Sequence, residues 1–79
     1  MRLDKYLKVS RLIKRRTIAN EACDSGRVTV NDKVAKASVN VKEGDIINIK
    51  FGNKEITVEV TNVAETVKKE EAQSMYKVL

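Results

Sequence analysis

The chain has no histidine, no proline, no tryptophan and a single cysteine among its 79 residues. Without histidine it lacks the commonest general base and the commonest metal ligand. Cys23 alone can form no internal disulfide, which suits a reducing compartment. One Cys without His cannot make a zinc site from side chains of this chain alone. Only three aromatics are present, too few for a base-stacking sheet built on paired aromatic motifs. Glycine-rich phosphate loops are missing, and nothing marks Asp45, Glu55 or Glu59 as a catalytic pair. The expectation is a protein with no catalytic residues, no metal and no cofactor. No apolar run approaches the ~20 residues of a membrane span. No hydrophobic stretch follows Met1-Arg2-Leu3-Asp4-Lys5, so neither a secretory signal nor a membrane partner is expected, and the expected compartment is the cytoplasm.

What the chain has is charge, unevenly placed. Residues 1–16 hold seven cations (Arg2, Lys5, Lys8, Arg11, Lys14, Arg15, Arg16) against one acid, Asp4. That segment is +6, while residues 17–79 hold nine basic and ten acidic residues and are −1. A positive patch on a near-neutral body calls for a polyanion. A chain this short buries only about 60% of its unfolded surface, so it supports one modest core.

The pattern of apolar residues predicts an α+β fold. Leu3, Tyr6 and Leu7 share one helical arc, with Arg2, Lys5 and Lys8 opposite. Leu12 and Ile13 tuck the connection onto the core. A second helix is expected over about residues 16–25. Ile18, Ala19, Ala22 and Cys23 form its apolar arc, Thr17 its candidate cap, and Gly26 its left-handed stop. The cations before it oppose the positive end of the helix dipole, so Lys14, Arg15 and Arg16 gain little there unless they meet an anion. From Arg27 the period becomes two. Val28 and Val30, Val34, then Ile47, Ile49 and Phe51, then Ile56, Val58 and Val60 read as strands. Turns fall at Asn31-Asp32, Gly44-Asp45 and Gly52-Asn53. Two short helices packed on a bent, mostly antiparallel sheet of about four to five strands is the expected architecture. Ala72, Met75, Tyr76 and Leu79 are spaced for a final amphipathic helix, and a short C-terminal helix docked on the domain, or a frayed tail, is expected. The expected division is residues 1–63 as the domain and 64–79 as a helical extension.

Candidate RNA-binding residues are Arg2, Lys5, Lys8, Arg11, Lys14, Arg15 and Arg16, with Lys33 and Lys36 near the first hairpin turn as outlying members. The bland reading of Lys33 and Lys36 is turn solubility. For the first seven, near-regular cation spacing favours phosphate contact, since arginine can fork onto phosphates and stack on bases. Tyr6 and Cys23 lie on apolar arcs and are read as core. Charge reversal at Arg16 is expected to weaken binding far more than at Lys69, with folding intact.

The ordered motifs Arg2-Leu3-Asp4-Lys5-Tyr6-Leu7, Arg16-Thr17-Ile18-Ala19, Gly26-Arg27-Val28-Thr29-Val30-Asn31 and Val39-Asn40-Val41-Lys42-Glu43-Gly44-Asp45-Ile46 resemble the RNA-binding domain named for the fourth small-subunit ribosomal protein. That domain also occurs in pseudouridine synthases, tyrosyl-tRNA synthetases and ribosome-associated heat-shock proteins. The run Lys8-Val9-Ser10-Arg11-Leu12-Ile13-Lys14-Arg15-Arg16-Thr17, the segment 33–38, Phe51-Gly52 and the tail Lys68-Lys69-Glu70-Glu71-Ala72 with Met75-Tyr76 look closer to a stand-alone bacterial branch, the ribosome-associated quality control P proteins. The chain is expected to be a monomer when free, and this resemblance implies that it binds ribosomal RNA and tRNA on a large ribosomal subunit obstructed by peptidyl-tRNA. It also implies support for alanine tailing of the stalled chain beside a larger tailing factor. Departures from the branch are Arg15 where many relatives have Ser, Asn31-Asp32 for Asn-Gly, and Ala37 for Pro. They bear on the start of helix two and on turn geometry, and none removes a cation.

The alternatives are a general rRNA-binding assembly or recycling factor, a module delivering a separate enzyme to RNA, and a DNA-binding or protein-interaction module. Asn20, Glu21 and Asp24 give helix two an acidic-to-neutral outer face, which suits a DNA major groove poorly.

Overall fold

The computed structural model of the chain describes residues 1–65 and 67–79, with Lys69 described by its backbone alone. Helix α1 spans Leu3–Val9 and α2 spans Arg16–Asp24. Strands follow as β1 Val28–Val30, β2 Lys33–Val34, β3 Ile46–Phe51 and β4 Lys54–Val60. A 3-10 helix, Lys69–Met75, leads into β5, Tyr76–Val78. The strands form one five-stranded sheet in the order β2-β1-β3-β4-β5, every pair antiparallel.

Local chemistry accounts for most boundaries. α2 ends as expected on Gly26, at φ 83°. The Gly26 N–H donates to the Cys23 carbonyl and the Arg27 N–H to the Ala22 carbonyl, the paired bonds that close a helix and turn the chain out. Asn31 and Asp32 both take positive φ, 52° and 69°, in the two-residue β1–β2 turn. Gly52 takes φ 55° at the first position of the β3–β4 turn, the place where that hairpin type needs glycine. Asp45 is buried at the strand junction, where it accepts from the Asn31 amide at 3.1 Å and the Lys42 N–H at 3.0 Å.

The core joins Leu3, Tyr6 and Leu7 of α1, Ala19, Ala22 and Cys23 of α2, and Val28, Ile47, Ile49, Val58 and Val60 of the sheet. Burial, then the nearby Asp4 and Asp24, push the Cys23 thiol up to about 11, so it is a neutral packing group at physiological pH. The Tyr6 hydroxyl donates to the Met75 carbonyl at 2.6 Å, fastening the C-terminal segment to α1. Residues 37–41 strap the start of α1, with the Leu3 N–H on the Val39 carbonyl and the Val41 N–H on the Met1 carbonyl.

Three expectations change. The tail is not an amphipathic α-helix: Ala72 and Met75 are buried, but the chain extends at Tyr76 and joins β4. The β4 edge offers backbone partners at Val58 and Val60, and Tyr76 and Val78 suit a pleated conformation better than another turn of helix. Thr17 is not a cap. Arg15 is the residue before α2, extended at φ −117°, and no side chain caps the helix. Ile18 is 48% exposed, not part of the buried arc.

Candidate nucleic-acid interface

Five of the nine candidate cations line one open groove of about 740 Å³: Lys5, Lys8, Arg11, Lys14 and Arg16. α1 supplies Lys5 and Lys8, the loop between the helices supplies Arg11 and Lys14, and the first position of α2 supplies Arg16. Val9 and Val67 give the groove some apolar wall. Arg2, Arg15, Lys33 and Lys36 are exposed but lie outside this lining.

Arg11 ends α1 in the left-handed region, at φ 64°, where glycine is the usual residue. A side chain there costs on the order of 1 kcal/mol. The position tolerates that strain while presenting a guanidinium to the groove. Lys8, Arg11 and Lys14 make no ion pair among the described residues. Mutual repulsion among such cations in one concavity is relieved when an anion enters.

Asp4 organises the two ends of the patch. Its carboxylate is buried and accepts from the Lys5 N–H at 2.8 Å, Asn20 Nδ2 at 3.2 Å and Arg2 Nε at 3.2 Å. Arg16 Nε lies 3.4 Å away. Burial alone raises the carboxyl, but the bonds from Asn20, Arg2, Arg16 and the Lys5 amide outweigh it, so it titrates below its ordinary value of 3.8. Arg2 and Arg16 remain 48% exposed in their side chains, so one edge of each guanidinium is held and the rest faces solvent. Arg16 is therefore also a structural residue. A glutamate there would face buried Asp4, so reversal at this position is expected to cost stability as well as binding. The Lys69 side chain, the other half of that comparison, lies outside the described residues.

Sequence reasoning missed Glu65. It sits at the groove and pairs with Lys5, which holds its carboxyl below the usual range. No local pattern signals this, because the partners are sixty residues apart. Asp4 was legible as the lone acid of its segment, whereas its partner Asn20 was not. Among the described residues no cluster of His, Cys, Asp and Glu could hold a metal ion, and no helix is long and apolar enough to cross a membrane.

Known proteins share this architecture and sequence. The S4 domain family profile matches residues 1–47, which hold both helices and all five groove cations. A protein of Halalkalibacterium halodurans named RQC P-site tRNA stabilizing factor is 67% identical over 78 residues, covering 99% of this chain and 89% of that one. Its namesake in Bacillus subtilis is 57% identical over 79 residues, covering 100% and 92%. The trimeric structure of Vibrio cholerae heat shock protein 15 superposes with a TM-score of 0.92 at 31% identity, covering 100% of this chain and 81% of that chain. The chain belongs to the S4 domain family and, within it, to the group of RQC P-site tRNA stabilizing factors.

Proposed function

We propose that this protein is a non-enzymatic RNA-binding factor of ribosome-associated quality control. It binds ribosomal RNA and tRNA on large ribosomal subunits obstructed by peptidyl-tRNA. By holding the tRNA it supports alanine tailing of the stalled chain beside a separate tailing factor, in the cytoplasm. The observation that carries this reading is the groove in which five cations converge. The name its relatives carry supports the P-site tRNA as one partner.

In this reading Lys5, Lys8, Arg11, Lys14 and Arg16 neutralise consecutive phosphates of a folded RNA. Arg2 and Arg15 extend the contact beyond the groove, and Lys33 and Lys36 add a weaker one from the β1–β2 side. Phosphate contact fixes position and carries no sequence information, so recognition follows RNA shape. Five neutralised phosphates correspond to a log–log salt slope of about −3.5 to −4.5.

Sedimentation at near-physiological salt tests the proposal. The protein is expected to travel with large subunits carrying peptidyl-tRNA and to bind empty subunits less. Protein left at the top of the gradient would sink the reading. Equal binding to empty subunits would favour a general role in assembly or recycling.

A further inference from the structure

A second concavity, of about 250 Å³, lies between α2 and the β3–β4 hairpin. Buried Ile13 and Ala22 lie at its base, and Ile18 and Phe51 stand at its mouth, 48% and 43% exposed. Arg27 and Lys50 complete the rim. They are brought together because the Lys50 N–H donates to the Arg27 carbonyl at 3.0 Å, and neither makes an ion pair among the described residues. Glu21 is the one carboxylate among the described residues of the lining, so the rim is net positive.

The exposure of Phe51 is unlike that of its strand. Ile47 and Ile49, which share its face by alternation, are buried, while Phe51 ends the strand in solvent. An exposed ring and an exposed isoleucine on one small concavity suit a flat apolar guest. Two cations outside any ion pair among the described residues, against the single carboxylate of Glu21 on the rim, favour negative charge at the guest's edge. An unpaired nucleotide has both properties.

Continuity with the basic groove favours RNA over an acidic protein segment. Ile13 at the base neighbours Lys14 of the groove in the same inter-helix loop.

We propose that this concavity is a nucleobase subsite: an unpaired base of the RNA held in the groove inserts against Phe51 and Ile18, and its phosphate meets Arg27 and Lys50. The subsite rests on the RNA-binding reading and extends it from phosphates to a base.

The test uses an RNA hairpin carrying 2-aminopurine, in turn, at each position of its single-stranded loop. Binding of the wild-type protein is expected to change the fluorescence at one position. Phe51→Ala is expected to abolish that change and weaken binding roughly tenfold, the usual scale of a lost aromatic–base stack. The salt slope should stay unchanged. Phe51→Tyr should restore both signals. Lys50→Ala should instead flatten the slope by about 0.7. An abasic nucleotide at the responsive position should weaken the wild type as much as Phe51→Ala does and leave that variant unaffected. If the hairpin binds wild type and Phe51→Ala equally, with the same fluorescence, the subsite is overturned while the groove reading stands. The subsite is overturned in the same way if Phe51→Ala weakens binding only to whole ribosomal particles, which would assign the concavity to a protein. Failure of the wild type to bind the hairpin at any salt overturns the groove and the subsite together.

Discussion

The inter-helix face and the sheet treat charge in opposite ways. In residues 1–16 seven cations face one acid, and Lys8, Arg11 and Lys14 are left without an ion pair among the described residues. In the sheet, opposite charges are set across from one another in the register, Lys50 against Glu55 and Glu59 against Lys77, and neutral groups pair, Asn48 donating to Thr57 at 2.9 Å. Left-handed positions are filled differently too. The sheet's turns use Gly52 and the tolerant Asn31 and Asp32, whereas the helical face keeps Arg11 where glycine would relax the backbone. Stability alone would have balanced the charges and placed glycine at position 11. On the proposed reading the helical face is shaped by what it binds, and the sheet by what holds it in place.

Variants can break or sharpen this contrast. The largest expected effect is on the sheet side. Ile49→Ala, at a fully buried site, should cost about 2–5 kcal/mol in urea denaturation. RNA affinity per folded molecule should stay unchanged. On the groove side, reversing Arg11 and Lys14 together to Glu should lower RNA affinity by roughly a hundredfold, about 2.7 kcal/mol. The melting temperature should hold or rise. A fall comparable to that of Ile49→Ala would show that the groove cations are structural after all.

Asp4 belongs to both regions, and Asp4→Asn should show both signatures. A loss of about 1–3 kcal/mol is expected, because the Lys5 N–H, Asn20 and the half-exposed Arg2 and Arg16 lose a charged acceptor. RNA binding should weaken as Arg2 and Arg16 come loose. The sign with pH is fixed. The folded carboxyl titrates below 3.8, so its contribution is present above that value and is lost as pH falls through the lower folded value. Melts between pH 7 and pH 3 should decline less steeply in Asp4→Asn than in the wild type.

Arg11→Gly separates the two demands at a single residue. Stability should rise by about 0.5–1 kcal/mol as the left-handed strain is removed, while the salt slope flattens by about 0.7–0.9. The smallest effect is expected from Lys36→Ala, outside the groove: roughly twofold or less in RNA affinity, measured by filter binding at fixed salt.

Legibility in the sequence followed the range of the interaction. The α2 stop at Gly26, the turn at Asn31-Asp32, the period-two strands and the cation-rich first segment were readable because each depends on neighbours a few residues away. The same reading failed at Ala72, Met75, Tyr76 and Leu79. Their spacing fits a helix, yet the outcome depended on an unfilled β4 edge some twenty residues earlier. It failed also for Ile18, whose apolar spacing says nothing about whether a neighbour covers it. Among the candidate site residues, the cations could be named from the sequence, but not their division between groove and periphery.

The sequence by itself determined that a strong positive charge sits at one end of a small α+β chain, because charge and hydrophobic period are local properties. Only the tertiary structure decided which cations converge. It held Arg2 and Arg16 on Asp4, set Glu65 beside Lys5, and made Tyr76–Val78 a fifth strand. Each of these requires segments distant in the chain to meet, and burial and backbone pairing settle such meetings without leaving a periodic trace.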